Sequence, residues 1–255
     1  MRLQQGEAFV AGPSDQSLEP LVRKLASISM LSPEEQQAIR SLSAKVRRLG
    51  PRHDLVREGD RPSRCCLLLE GWAARYKFVG EGKRQIISFH VAGDLVDVQN
   101  LHLGLSDHNI STLPQATVAF IPLEALRTLL AKFPGLTETL WRDSLVDAAI
   151  FREWVVNVGR RSAYERLCHL FCEMYAKQAA VGLAQDLRCP LPVTQVDLAD
   201  ATGLTSVHVN RTLRAMRGDG LINLAGGTLT INSWPDLTTV AGFDPTYLHV
   251  EARAA

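Results

Sequence analysis

The sequence predicts an α+β protein with an N-terminal β jelly roll, one long central helix and a C-terminal winged helix-turn-helix. Three patterns support this prediction. Short apolar runs between turn residues fill residues 45–122, helical periodicity runs from 134 to 159, and residues 193–231 read as two short helices followed by a hairpin. The 255 residues are enough for two domains with separate cores.

The composition narrows the class of protein. The formal net charge is only +1, so any basic surface must be local, and no apolar run approaches the roughly 18 residues that cross a bilayer. The N-terminal residues lack the apolar segment of a secretory signal. Five cysteines without regular spacing are typical of reduced thiols rather than of a disulfide framework. We therefore expect a soluble protein of the cytoplasm.

The N-terminal half begins with a polar arm and a short helix. Ser32 is a good N-cap, Pro33 suits the first helical position, and Glu35 completes a capping box. Turn residues separate the apolar runs that follow, and strands are expected at 55–56, 65–69, 73–79, 86–89 and 116–121. Short strands at this spacing favour an antiparallel barrel or a jelly roll.

Helical periodicity takes over after Pro122. A short helix is expected at 123–132, and a longer one at 135–158 would measure about 36 Å. Apolar side chains recur along the longer helix: Leu136, Leu140, Val146, Ala149, Ile150 and Val158, with the bulky Trp141 and Trp154. Two interpretations remain open, since the helix either pairs with its twin in a dimer or packs only on its own barrel. A hinge near Gly159 follows, and Ser162 caps a helix that runs to about Val181.

The pattern from Val193 to Leu204 is typical of the first half of a helix-turn-helix. Thr194 caps a helix, and Asp197 lies in its first turn, where a carboxylate meets the positive end of the helix dipole. Ala199 is small where two helices must cross closely, and Gly203 can adopt the left-handed conformation of a tight turn.

The second helix is expected to run from Ser206 to Arg217, with Thr205 as its cap. Its apolar stripe, Val209, Leu213 and Met216, leaves a polar face made of Ser206, Val207, Asn210, Arg211 and Arg214. No acidic residue lies between Asp200 and Asp219, so the arginines make a local positive stripe of the kind that enters a DNA groove. Strands at 221–224 and 228–231 form the wing. The alternative is a plain three-helix bundle.

Over residues 21–235 the chain resembles the Crp/Fnr superfamily of bacterial transcription regulators. Besides the helix-turn-helix, the resemblance rests on turns of the β-rich half: Glu58-Gly59-Asp60, Leu68-Leu69-Glu70-Gly71 and the segment from Phe89 to Asp94. It implies a cyclic-nucleotide-binding-like jelly roll, a dimerising central helix and a DNA-binding domain. The implied partners are double-stranded promoter DNA with a near-palindromic site, RNA polymerase and a second copy of the chain.

The resemblance also suggests a division of the chain. We expect a flexible arm at 1–20, a cyclic-nucleotide-binding-like β-roll sensor domain at 21–133, a dimerisation helix at 134–159, a winged helix-turn-helix DNA-binding domain at 160–235 and a C-terminal tail at 236–255.

By the same resemblance, base edges are read by Ser206, Val207, Asn210 and Arg211. Arg211 matches the family arginine that pairs with guanine, whereas Val207 stands where many members carry a glutamate. Valine cannot accept a hydrogen bond from cytosine, so the half-site should differ from that of the best-known members. Asn210 either pairs with adenine or points into the backbone. Phosphate contacts are expected from Thr194, Thr205, Arg214 and Arg217.

The sequence does not identify the signal that the sensor half detects. In the cyclic-AMP branch a glutamate and an arginine hold the nucleotide, but the corresponding positions here fall on Val98 and near Ser106. Residues 1–64 contain no cysteine, which excludes the N-terminal iron–sulfur cluster of another branch. We therefore assign no cofactor, and the loop at 101–105 is left as a candidate lining for some other ligand.

Cysteines and histidines offer weaker alternatives. Cys168 and Cys172 read as buried core residues, and of the vicinal pair Cys65-Cys66 one should face the core while the other is exposed, which leaves a redox role open. His53, His90, His102 and His108 could ligate haem but read more simply as turn or surface residues.

No enzyme is expected, because the sequence shows neither clustered carboxylates nor a nucleophile or phosphate-loop motif. The competing function is a ligand- or redox-sensing module whose DNA-binding domain serves protein contacts.

Overall fold

The computed structural model describes residues 18–250; residues 1–17 and 251–255 lie outside the described part. Its helices are α1 Glu19–Ala26, α2 Pro33–Arg40, α3 Leu123–Lys132, α4 Pro134–Arg160, α5 Ala163–Ala180, α6 Gln195–Thr202, α7 Ser206–Gly218 and α8 Trp234–Ala241. Its strands are β1 Lys45–Leu49, β2 Asp54–Val56, β3 Arg64–Glu70, β4 Ala73–Val79, β5 Lys83–His90, β6 Asn109–Thr112, β7 Ala116–Pro122, β8 Arg188–Pro190, β9 Ile222–Ala225 and β10 Thr228–Ile231.

The N-terminal strands form two antiparallel sheets that face each other, which confirms the predicted jelly roll. One sheet has the order β1-β7-β3 and the other the order β2-β6-β4-β5. Apolar side chains from both sheets fill the space between them. The sequence analysis did not single out β1 and β6, because β1 is mostly basic and β6 mostly polar. Their pairing with longer apolar strands defines them instead.

The predicted flexible arm, residues 1–20, wrongly includes the first residues of α1. Leu18 is buried, and α1 starts at Glu19 and lays Leu21, Val22 and Leu25 on the outer face of the three-stranded sheet. Because these apolar residues recur at helical spacing, the segment gains more by packing on the sheet than by staying in solvent. Most of the proposed arm, residues 1–17, lies outside the described residues.

Gly93 lies close against α1. Its φ is +101°, and a Cβ at this position would lie 2.6 Å from the carbonyl oxygen of Pro20 and 2.9 Å from the Cβ of Lys24. Both neighbours belong to α1, so α1 would have to move away from the sheet to accept a larger residue.

We expect Gly93→Ala to lower the free energy of unfolding of the sensor half by about 2–4 kcal/mol, since backbone strain and a steric clash act together. Gly59→Ala is the matched control, because Gly59 also has a positive φ, +90°, but nothing within 4 Å of its Cβ position. It should cost only the strain. Urea titrations followed by circular dichroism compare the two variants, and equal losses would show that the contact with α1 is not decisive.

The long helix α4 lies with one face on its own chain. Most of the apolar residues that the sequence pointed to are buried there, namely Leu136, Leu140, Val146, Ala149, Ile150 and Trp154. These side chains pack on their own chain, mainly against the roll and α5, and not on a second copy of the helix. A second stripe, Trp141, Leu145, Ala148, Arg152 and Val155, recurs at alternating spacings of four and three residues, and most of its members are exposed. This exposed stripe has the spacing of a coiled-coil seam.

The junction between α4 and the C-terminal part is held by buried polar side chains. Glu173 on α5 is fully buried, and it accepts hydrogen bonds from Trp154 Nε1 of α4 at 2.8 Å and from Tyr247 Oη at 2.7 Å. Tyr247 belongs to a 3₁₀ turn, Pro245–Leu248, so residues expected to form a tail instead pack on α4 and α5 together with α8. Residues 251–255 of that segment lie outside the described part.

Arg166 on α5 ties the same junction to the helix-turn-helix. Its guanidinium donates to the carbonyl oxygens of Asn157, Val158 and Arg161, at the end of α4, and to that of Thr202, at the end of α6. One side chain thus satisfies carbonyls at two helix ends that have no partner within their own helices. Among the helices of residues 18–250, none is both long and apolar enough to span a bilayer.

Candidate nucleic-acid interface

Helix α6 begins with a capping box. Thr194 Oγ1 accepts a hydrogen bond from the backbone N–H of Asp197, and the Asp197 carboxylate accepts one from the backbone N–H of Thr194 at 3.0 Å. The helix ends at Gly203, whose φ of +67° lies in the left-handed region. The cap at Thr194 and the left-handed Gly203 are where the sequence predicted them, whereas the return bond from the Thr194 N–H to Asp197 was not predicted.

Helix α7 follows after three residues, 203–205. The last of them, Thr205, caps the helix, and its Oγ1 accepts a hydrogen bond from the backbone N–H of His208. Val209, Leu213 and Met216 are buried, as expected from their spacing. The winged hairpin of β9 and β10 comes next, with Gly226 and Gly227 both at positive φ in its turn. A third strand that the sequence analysis missed, β8, extends this sheet by pairing with β10.

The outward face of α7 is open to solvent. Val207 is 80% exposed, and Ser206, Arg211, Arg214 and Arg217 are exposed as well. Within residues 18–250 the three arginines make no hydrogen bond or ion pair, so their positive charge is available to a ligand. Asn210 differs from the others, because its amide donates to Gln195 Oε1 of α6 at 3.1 Å and is half-buried.

The β-roll docks directly on α6, a contact that the sequence analysis did not anticipate. Arg84 on β5 donates from Nη2 to Asp197 Oδ1 and from Nε to Asp200 Oδ2, both at 2.7 Å. Arg52 lies 3.6 Å from Asp197, and Gln85 Nε2 donates to the carbonyl oxygen of Ala201 at 3.4 Å. Burial raises the pKa of Asp197, but hydrogen bonds from Thr194 and Arg84 outweigh it and hold the pKa below its usual value. No sequence pattern links residues more than 100 positions apart.

A cavity of about 460 Å³ lies between the roll and α4. Its wall carries both charges: Arg75 pairs with Asp147 at 2.9 Å, and Lys24 lies 3.5 Å from both Asp94 and Asp143. Burial lowers the pKa of Lys24, but the nearby carboxylates raise it by more than burial lowers it. The net shift of the pKa is upward, so the amine stays charged. The cations Arg75 and Lys24 in the cavity wall are thus already paired with carboxylates of the same wall.

The cavity residues do not fit a cyclic nucleotide. Val98 lines the cavity where the nucleotide-binding branch carries a glutamate, and Ser106 is buried outside the lining. The buried guanidinium of Arg75 is already engaged by Asp147 and by the carbonyl oxygen of Val96 at 2.8 Å. A cyclic phosphate would therefore find no unengaged arginine among the described residues that line the cavity, and burying it without such a charge-assisted contact would be costly.

All five cysteines are buried and unpaired with one another. The prediction that one of Cys65 and Cys66 is exposed is wrong: they face opposite sides of β3, as expected, but α1 and α3 cover the outer side and the opposite sheet covers the inner one. Both faces of the strand are thereby closed to solvent. Burial raises the pKa of both thiols, and Asp97, which accepts from Cys65 Sγ at 3.0 Å, raises it further. Cys168 and Cys172 are core residues, as predicted.

Two of the four histidines of the β-roll, His90 and His108, line the cavity, whereas His53 and His102 do not. His90 is buried 3.5 Å from Asp94, and His108 is buried against Asp107, while His53 and His102 are at least partly exposed. Burial lowers the pKa of both His90 and His108. Within residues 18–250 no group of three or more His, Cys, Asp or Glu side chains is arranged to hold a metal ion.

Comparison with known proteins matches both halves of the chain. The family model of the cyclic nucleotide-binding domain matches residues 46–133, and that of the Crp-like helix-turn-helix domain matches residues 165–240. The fumarate and nitrate reduction regulatory protein of Salmonella typhimurium is 26% identical over 189 residues, which cover 74% of this chain and 75% of that protein. The anaerobic regulatory protein of Aggregatibacter actinomycetemcomitans is also 26% identical, over 74% of this chain and 73% of its own length.

Solved structures share the fold. FixK2 from Bradyrhizobium japonicum is 20% identical and superposes with a TM-score of 0.70 over 84% of this chain and 100% of its own. TTHB099, a transcriptional regulator of the CRP family from Thermus thermophilus, is 17% identical, with a TM-score of 0.60 over 77% of this chain and 97% of its own. These neighbours confirm the predicted fold, in which a β-roll is followed by a long helix and a winged helix-turn-helix.

Proposed function

The chain belongs to the Crp/Fnr superfamily of transcription regulators, and we propose that it acts in the cytoplasm as a homodimer on near-palindromic promoter DNA. It is a DNA-binding regulator of transcription. The single observation that carries the finer proposal is the open face of α7. Its arginines have no partner among residues 18–250, and they lie on a chain of nearly neutral charge. Such a local positive surface suits the major groove.

The exposed stripe of α4 supports the dimer. Trp141 and Val155 are 66% and 68% exposed, and Leu145 between them is 52% exposed. A second copy of α4 packed in register would remove this apolar seam from water, which is the main driving force of association. Two recognition helices would then enter successive major grooves about 34 Å apart.

The proposed division of labour on DNA follows from side-chain chemistry. Arg211 pairs with guanine O6 and N7, and Val207 packs on a thymine methyl. Ser206 completes the base-reading face, with Asn210, whose bond to Gln195 would have to open for it to reach a base. Thr194, Thr205, Arg214 and Arg217 contact phosphates and fix the register of the protein on the duplex. RNA polymerase is the partner to which a bound dimer would pass its signal.

Selection from a random duplex library tests this proposal. We expect the purified chain to enrich sequences with two-fold symmetry, whose half-sites contain guanine and are centred about 10 base pairs apart. Gel retardation at moderate salt then measures the affinity for the enriched duplex and for a scrambled one. Absence of any retained duplex would contradict the proposal and favour a sensing module whose C-terminal domain contacts proteins. Enrichment of asymmetric single sites would contradict the dimer alone.

A further inference from the structure

A pair of short ion-pair contacts joins the β4–β5 hairpin to α6. Arg84 spans two carboxylates that lie three residues apart on one face of α6, at 2.7 Å from each. Its side chain is 14% exposed, and those of Asp197 and Asp200 are 2% and 23% exposed. A charge-assisted fork that is largely shielded from water is stronger than an exposed ion pair.

The hairpin holds Arg84 in place from the sensor side. Its guanidinium lies over the ring of Tyr76, 5.6 Å from the ring centre, and Tyr76 Oη donates to Asp54 at 3.4 Å. Arg52, from the turn between β1 and β2, approaches Asp197 from a second direction. The fork therefore belongs to a preformed surface of the roll.

On the other side, α6 carries α7 with it. The two helices are joined by the short turn at Gly203, by the bond from Asn210 to Gln195, and by packing of Val209 and Leu213 on Leu198 and Ala199. Fixing α6 on the roll therefore also fixes the direction in which α7 points. The open face of α7 stays exposed in this docked arrangement, so the contact orients the helix without covering it.

We propose that Arg84 is a positioning residue for DNA binding: it fixes the recognition helix relative to the sensor domain, and so allows both helices of a dimer to meet their half-sites together. A domain that rotates freely must be ordered on binding, and this ordering costs affinity. The inference rests on the proposed dimer on DNA. It does not give Arg84 a contact with DNA, because Nε and Nη2 of its guanidinium already donate to two carboxylates.

The test compares Arg84→Gln with Lys83→Gln on the duplex that the wild-type chain selects. Lys83 is the matched control, because it is the preceding residue and loses the same charge. Within residues 18–250 it pairs only with the exposed Glu81, at 2.9 Å. We expect Arg84→Gln to weaken binding about tenfold, within the usual range of coupling between sites. Lys83→Gln should stay within about twofold of wild type, as expected of a screened surface charge.

Two further measurements separate positioning from other roles. The dependence of affinity on salt should have the same slope for Arg84→Gln and wild type, whereas removal of a phosphate-binding cation lowers that slope by about one unit. Arg84→Lys, which can still reach one carboxylate, should restore part of the affinity. Asp200→Asn should weaken binding in the wild-type chain but have no further effect beside Arg84→Gln.

Several results would overturn the inference. Affinity of Arg84→Gln within twofold of wild type, or tighter than wild type, would show that the docked arrangement does not favour DNA binding. A lower salt slope would assign Arg84 to phosphate binding instead. An unchanged circular dichroism spectrum and the Arg84→Lys variant guard against simple misfolding. Failure of the wild-type chain to retain any duplex would overturn the proposed function, and with it this inference.

Discussion

Arg211→Ala is expected to cause a large loss of selective recognition of the target site. A bidentate contact between arginine and guanine discriminates against a wrong base by about 1–3 kcal/mol. A homodimer makes this contact twice, so the loss of binding free energy should be about 2–6 kcal/mol if the half-sites act independently. Arg211 is exposed, and it makes no hydrogen bond or ion pair within residues 18–250, so its removal should leave the fold intact. Competition titrations with the selected duplex and a scrambled duplex measure the effect.

Arg217→Ala is the matched control, since it removes the same side chain from the same helix but outside the base-reading group. It should weaken binding to both duplexes alike and lower the salt slope by about one unit for each phosphate that the arginine neutralises. If the two alanine variants affect selected and scrambled duplexes equally, the assignment of roles to Arg211 and Arg217 is wrong.

Leu145→Glu is expected to convert the dimer into monomers. Leu145 is in the middle of the exposed stripe of α4, and near a two-fold axis the substitution would bring two carboxylates together in an apolar seam. Removing an unpaired charge from water costs several kcal/mol, so the dissociation constant of the dimer should rise at least about 100-fold. Sedimentation velocity at micromolar protein measures the change, and affinity for the palindromic duplex should fall with it.

Met30→Glu controls for the chemical change itself. Met30 is 93% exposed in the turn between α1 and α2, so the same replacement of an apolar side chain by glutamate should affect neither association nor DNA binding. A dimer that survives Leu145→Glu would show that another surface of the chain pairs the two copies.

Local chemistry explains where prediction from the sequence worked best. The capping residues Ser32, Ser162 and Thr194 each accept a hydrogen bond from a residue three positions later in the chain, as expected. Gly203 adopts the left-handed conformation that its turn requires. These features depend on contacts within one turn of helix, so residues that are close in the sequence are enough to predict them.

The sequence predicted less reliably which face of a helix or strand is buried. On α4 the sequence analysis grouped Trp141 with Trp154, yet Trp154 is buried on its own chain and Trp141 is exposed, in a stripe whose other apolar members the analysis did not single out. Cys66 was placed correctly on the strand, but its exposure depends on which sheet lies opposite. Burial of a side chain is decided by elements far away in the sequence, and periodicity does not identify them.

The order of the domains, the helix-turn-helix and the positive face of α7 could be predicted from the amino-acid sequence. Each of these rests on spacings of a few residues, for which backbone geometry gives only a few solutions. How the two domains meet is visible only in the folded chain, because the fork of Arg84 on Asp197 and Asp200 joins residues more than 100 positions apart. Ion pairs of this kind have no local signature, since their energy depends on distance and burial in the folded chain.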